Sequence, residues 1–146
     1  MTLLSIKKTN KFSINQVKRG MKIRLRKKMT KKFFIKSIRL LNDTAPIHTS
    51  DKWAKRLDMK KKIFPGLAVV SVFSKMIGMY LPGKNAVLMD IYFSFRKPVF
   101  QNDSLIYLCE VNKIIKEYKR MRRNERSNFG QLKKLSLLDK NGRPLK

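Results

Sequence analysis

An aspartate and a histidine lie five residues apart in the run Asp43-Thr44-Ala45-Pro46-Ile47-His48. His48 is the only histidine of the chain, and Asp43 is its first acidic residue. Because Pro46 disfavours a helix, we expect a loop in which the carboxylate and the imidazole hold one water molecule between them. Such a pair could add water to a double bond or remove it. The alternative is structural: Asp43 ties down the loop, and His48 is a hydrogen-bonded structural histidine.

The flanking patterns predict the elements that position this pair. Met21 to Lys28 alternates between apolar and basic residues, which is typical of a half-buried strand. Thr30 is suited to cap a helix from Lys31 to about Leu41, so the pair follows a helix end. A short helix is then expected to begin at residues 49–51, with Trp53 in the core.

The segment from Gly66 to Tyr80 is apolar nearly all round. As a helix it would be about 22 Å long, and it would have to be covered, most simply by a curved sheet. Within it, Met76 is expected in the core. Ser71 is interpreted either as a core serine bonded to a backbone carbonyl or as a group near the site. Leu81-Pro82-Gly83 ends the segment.

Three later segments have strand patterns. They are Ala86–Phe95, Ser104–Lys113 and Leu135–Leu138, and Asp139 to Gly142 predicts a hairpin turn after the last of them. Residues 117–134 are ambiguous, because they are highly charged and alternate only weakly.

The composition limits the classes of function. A chain of 146 residues with 42% hydrophobic content fits one folded domain. The single cysteine, Cys109, excludes a disulfide framework and predicts a buried thiol, and no metal site is expected. We find no membrane-spanning run and no signal-peptide core, so a cytoplasmic location is expected.

The net charge of +27 favours a polyanionic partner such as nucleic acid, an anionic membrane, an acidic carrier protein or nucleotide phosphates. Alternatively, it is only a solvated basic surface.

The order of these motifs resembles the MaoC-like (R)-specific enoyl-CoA hydratases. Asp43 to His48 is similar to the family's Gly-Asp-x-Asn-Pro-x-His motif, and Phe64-Pro65-Gly66-Leu67 to the start of its central helix. Residues 95–103 resemble its Phe-x-x-Pro-Val-x-x-Gly-Asp corner. The resemblance extends over about residues 12–114, and more loosely over 135–144. It implies an α+β hot-dog fold, a curved antiparallel sheet wrapped around a long central helix, in a single domain of residues 1–146.

The resemblance also implies an activity. Asp43 would be the general base and His48 its partner in hydrating or dehydrating enoyl and 3-hydroxyacyl thioesters. The backbone N–H of Gly66 would stabilise the oxyanion, with Ser71 as a further substrate-binding candidate. The substrate would be carried on coenzyme A or on the phosphopantetheine of an acyl carrier protein, with no other cofactor. The family resemblance also implies a homodimer.

Three features depart from the family pattern. Asn42 stands where the family has glycine, and Ala45 where it has the asparagine that helps to arrange the loop. The family also has a strand after the final turn, and this sequence stops at Lys146. These departures leave a second hypothesis open, a degenerate hot-dog protein that binds acyl thioesters or a protein partner without turnover. A third, nucleic-acid binding, is suggested by charge alone, and the aromatics do not interleave with the basic runs as such a surface requires.

Overall fold

Four helices and three strands form the regular structure of the described part of the chain. The computed structural model describes residues 9–10, 12–13, 15–84, 86–114 and 134–138. The elements in order are β1 (Lys22–Lys28), α1 (Lys31–Leu41), α2 (Pro46–Thr49), α3 (Asp51–Arg56), α4 (Gly66–Met79), β2 (Ser104–Glu110) and β3 (Lys134–Leu138). The predicted turn at 139–142, and most of the ambiguous segment 117–134, lie outside the described residues.

The three strands form one sheet in the order β1-β2-β3. Strands β1 and β2 are antiparallel: the N–H of Val111 donates to the carbonyl of Met21 at 3.0 Å, whereas the N–H of Met29 donates to that of Asp103 at 2.8 Å. This register places apolar residues of both strands on one face and the basic residues of β1, except Lys27, on the other. The half-buried strand predicted from the alternation is therefore confirmed.

Helix α1 begins and ends where the sequence predicts. The Thr30 side chain caps its start by accepting the N–H of Phe33 at 3.2 Å. At its end, Asn42 adopts the left-handed conformation with a φ of 49°, and its N–H donates to the carbonyls of Arg39 and Ile38. The chain then leaves the helix directly toward Asp43.

Helix α4 is mostly buried, and it ends at the predicted stop. Val69, Phe73 and Met76 are at most 2% exposed, which confirms Met76 as a core residue. Gly83 has a φ of 96°, and a side chain there would collide with the backbone of Asn10, so only glycine fits. Burial is not complete, however, because an exposed stripe runs along the helix through Leu67, Ser71, Ser74 and Lys75.

The described residues fall into two compact units. The first lies within residues 1–25, 73–91 and 108–136, and the second within 26–72, 92–107 and 137–146. The first unit has a core of Val17, Leu81 and Val111. In the second, the buried hydroxyl of Tyr107 on β2 donates to the Val69 carbonyl of α4 at 3.1 Å, and burial raises the pKa of Tyr107. This bond ties the sheet to the first half of α4.

Two local predictions are wrong. Residues 86–95 have a strand pattern but form no strand among the described residues, because alternation supplies side chains for a face and not a neighbouring backbone to pair with. Trp53 is 43% exposed, not in the core. Helix α3 has only six residues and buries only Ala54, and the Arg56 guanidinium lies 5.6 Å from the centre of the Trp53 ring.

Within the described ranges, no helix has the length and apolar character needed to cross a membrane.

Candidate active site

His48 lies on a helical turn. Pro46 occupies the first position of α2, where its fixed φ suits a helix and its missing N–H would have no partner within the helix anyway. The expectation that Pro46 keeps this segment from being helical is therefore wrong for residues 46–49. As a result, the backbone that carries the imidazole is held by hydrogen bonds, including one from the N–H of His48 to the Ala45 carbonyl at 2.8 Å.

The Asp43 carboxylate is held by local backbone contacts. Its own N–H donates to the Ile38 carbonyl of α1 at 3.2 Å, and its Oδ1 accepts the N–H of Ala45 at 3.3 Å. Its Oδ2 lies 3.5 Å from Nε2 of His48. The Asp43 side chain is 36% exposed and that of His48 only 12%. The predicted pairing of carboxylate and imidazole is therefore present in the structure.

The backbone carbonyl of Ile63 sets the tautomer of His48. It lies 2.9 Å from Nδ1, and a carbonyl oxygen can only accept a hydrogen bond, so Nδ1 carries a proton. In the neutral ring, Nε2 is then an acceptor that faces a second acceptor, the Asp43 carboxylate. Either a proton on Nε2 or a donor shared by both groups satisfies this arrangement.

A water molecule is such a shared donor. It could lie about 2.8 Å from both Oδ2 and Nε2 and give one hydrogen to each. Its oxygen lone pairs would then point away from the pair, toward an electrophile. This arrangement suits general-base activation of water.

Gly66 is the first residue of α4, close to the pair along the chain. It follows Ile63 by three residues, so its N–H lies no more than about 10 Å from the carbonyl that holds His48. The first N–H groups of a helix have no partner within it, and they carry the positive end of the helix dipole. A Cβ on Gly66 would lie 2.8 Å from the Phe95 ring, so glycine also permits this ring to pack on the backbone.

Ser71 is not part of the pair's contacts. Its hydroxyl donates to the Ala68 carbonyl at 2.8 Å within α4, as predicted for a back-bonded serine. The residue is exposed, however, so its assignment to the core is wrong. The reason is that Ser71 falls on the exposed stripe of the helix.

The two departures in the loop have different structural consequences. Asn42 is in the left-handed conformation, which glycine adopts freely and asparagine more readily than most residues, so this substitution preserves the helix end. Ala45 is the N-cap of α2, and it makes no side-chain capping bond. Ala45 therefore leaves α2 without the side-chain acceptor that an asparagine would supply.

Two contributors to the site could not be recognised as such from the sequence. Ile63 acts through its backbone carbonyl, which every residue type possesses. Phe95 belongs to a recognisable motif, but only the tertiary structure places its ring on Gly66. The described residues contain no group of three or more His, Cys, Asp or Glu side chains that could hold a metal ion.

The family model described as "MaoC like domain" matches residues 14–130, which is most of the chain. This chain belongs to the MaoC-like domain family. The MaoC-like assignment agrees with the order of the loop, the central helix and the strands. This match establishes the family.

Relatives of known activity match about two thirds of the chain. The (R)-specific enoyl-CoA hydratase of Aeromonas caviae is 29% identical over 100 residues, covering 68% of this chain and 75% of that protein. The 3-hydroxybutyryl-CoA dehydratase of Methylorubrum extorquens is 31% identical over 98 residues, covering 67% of this chain and 62% of that protein.

A solved structure shows the same fold. The structure described as the (R)-hydratase from A. caviae involved in PHA biosynthesis superposes with a TM-score of 0.70 at 22% identity, covering 88% of this chain and 89% of the other. The predicted class is confirmed: this MaoC-like chain has the α+β hot-dog fold.

Proposed function

We propose that this chain adds water to trans-2-enoyl thioesters and removes it from 3-hydroxyacyl thioesters. The observation that carries the proposal is the 3.5 Å approach of Asp43 Oδ2 to His48 Nε2, with Nδ1 held by the Ile63 carbonyl. Both curated relatives are named as enzymes of this kind of reaction, a hydratase and a dehydratase. The (R) configuration of the hydroxyl group is proposed from the relative named (R)-specific.

The residues divide the reaction between them. Asp43 takes one proton from the water as the water oxygen bonds to the β-carbon of the enoyl thioester. Negative charge then passes to the thioester oxygen. The N–H of Gly66 at the start of α4 stabilises this charge. The α-carbon then takes a proton through the Asp43–His48 pair, which returns to its starting state. Every step is reversible, so the same groups serve dehydration.

The thioester carrier is part of the substrate. Coenzyme A and the phosphopantetheine of an acyl carrier protein present the same reactive end, and the pair acts on that end. We propose no additional cofactor, because the pair and the helix start supply the base, the proton relay and the oxyanion donor.

The test is the loss of absorbance of crotonyl-CoA on hydration. We expect turnover by the wild type and a fall of about a hundredfold or more in Asp43→Asn, because the amide cannot act as the base. Asp58→Asn is the matched control: it makes the same change at an exposed residue with a φ of 56°, a conformation that asparagine tolerates. An equal fall in both variants would contradict the assigned role of Asp43.

A second candidate is a protein that binds acyl thioesters without turnover. The missing side-chain cap at Ala45 favours it, because α2 carries His48, and an uncapped helix start fixes the imidazole less firmly than a capped one. A wild type that binds a crotonyl thioester but hydrates neither its CoA nor its carrier form, at several chain lengths, would establish this function.

We further propose that the chain acts as a homodimer. The segment 86–95, which forms no strand in the described structure, exposes the large apolar residues Val87, Leu88, Met89, Ile91, Tyr92 and Phe95. A surface of this kind is typical of a protein interface, and the strand pattern of the segment suits pairing with a second copy of itself. Sedimentation equilibrium tests the proposal, and a stable monomer at micromolar concentration would contradict it.

A further inference from the structure

The exposed side of helix α1 combines positive charge with apolar residues. We define the α1 outer face as Lys31, Lys32, Ile35, Lys36, Arg39 and Leu40, all of which are exposed. Leu40 is 86% exposed and Ile35 40%. The helix contains no acidic residue, so none of its own side chains neutralises these four cations.

The opposite side of α1 holds the helix in place. The rings of Phe33 and Phe34 pack on Phe64, with centroids 5.7 Å and 4.9 Å apart, and Ser37 is buried. The helix therefore does not need its outer face for packing.

Lys31, Lys32 and Lys36 work against the helix itself, whereas Arg39 lies in the last turn, where the dipole favours a cation. Lys31 and Lys32 occupy its first turn, where the positive end of the dipole repels cations. Lys32 and Lys36 are four residues apart, so two like charges are neighbours on the surface. Cations in the first turn and like charges four residues apart both destabilise a helix, so their presence here indicates a use other than stability.

The outer face is joined directly to the catalytic carboxylate. Helix α1 ends at Leu41, Asn42 turns the chain, and the next residue is Asp43. The bond from the N–H of Asp43 to the Ile38 carbonyl fixes the carboxylate to the last turn of the helix. A partner on the last turn of the outer face would therefore lie beside the site.

We propose that the α1 outer face binds the acidic surface of a carrier protein that delivers the acyl thioester to Asp43 and His48. This inference rests on the proposed function and names its substrate as the carrier-bound form. The four cations complement an acidic helix, and Leu40 and Ile35 supply apolar contacts that the phosphates of coenzyme A could not use.

Two other polyanions fit this face less well. A helix that lies in a membrane surface buries its apolar side in the lipid, but the apolar side of α1 is already packed on Phe64. Single-stranded nucleic acid is bound by aromatic rings that stack on the bases, and the outer face contains no aromatic residue.

The experiment compares kcat/KM for crotonyl-CoA with that for the crotonyl thioester of an acidic holo acyl carrier protein. In the variant K32E/K36E, we expect the ratio of carrier to CoA values to fall by about tenfold or more, because two attractive charges become repulsive. The variant K52E/K55E is the matched control, with the same two changes on exposed residues of α3. There the ratio should change by less than about threefold.

Other outcomes overturn the proposal. These are an unchanged ratio in K32E/K36E, an equal fall in the control, or an effect confined to binding of RNA or anionic vesicles. If the wild type hydrates crotonyl-CoA but one of these outcomes is found, the proposed function stands and only the proposed docking surface is refuted.

Should the wild type hydrate neither substrate, the proposed function fails, and docking is decided by carrier binding in fluorescence anisotropy. About tenfold weaker binding to K32E/K36E supports docking, and unchanged binding refutes it. Unfolding curves check that the variants are folded.

Discussion

Replacement of Ala45 by asparagine should strengthen the start of the helix that carries His48. Ala45 is the N-cap of α2, and it supplies no side-chain acceptor. The first N–H groups of a four-residue helix have few partners within it, so a capping oxygen matters more here than in a long helix. Exchanging alanine for asparagine at an N-cap contributes about 1 kcal/mol.

This free energy converts to a measurable shift. For a chain of this size, about 1 kcal/mol corresponds to roughly 3 °C in Tm. The assay is thermal and urea unfolding followed by circular dichroism, together with crotonyl-CoA hydration. We expect Ala45→Asn to raise both Tm and kcat, because the turn that orients the imidazole is held more firmly.

Ala45→Asp separates capping from catalysis. Its carboxylate can also cap α2 and interacts favourably with the helix dipole, so stability should rise as much or more. It also places a second negative charge two residues from Asp43, where it should lower turnover. If neither variant changes the free energy of unfolding, the N-cap reasoning is refuted. If Ala45→Asp raises kcat as much as Ala45→Asn does, the expected effect of the second negative charge on turnover is wrong.

Four further predictions concern stability and accessibility. Gly83→Ala should lose at least about 1 kcal/mol in urea unfolding, because of its φ of 96° and the nearby Asn10 backbone. Gly78→Ala, where a Cβ meets nothing within 4 Å, should instead gain about 0.5–1 kcal/mol, and equal effects would contradict the argument. Tyr107→Phe should cost about 0.5–1.5 kcal/mol by removing the bond to Val69, and an unchanged midpoint would argue against that bond. Burial raises the pKa of Cys109 to about 11 from 9.0, so native protein at pH 8 should react with a disulfide reagent only after unfolding. Between pH 9 and pH 11 the Cys109 thiol ionises in the unfolded chain and not in the folded one. The free energy of unfolding should therefore fall as pH rises through this range, and a serine variant should lack this contribution.

The sequence alone determined those features that depend on local physical chemistry. Thr30 caps α1 because a hydroxyl can accept a free N–H wherever a helix begins. Gly83 ends the α4 segment because no other residue suits its backbone conformation. Asp43 and His48 could be paired from their spacing, since five residues bring the two side chains within reach of each other.

Only the tertiary structure decided features that depend on distant neighbours. Residues 86–95 have the alternation of a strand, but a strand also needs a second backbone. Trp53 has the composition of a core residue, but a short helix left its ring at the surface. The tautomer of His48 depends on the carbonyl of Ile63, fifteen residues away. A sequence pattern describes what a side chain can do, whereas burial, pairing and tautomer depend on the groups that folding brings beside it.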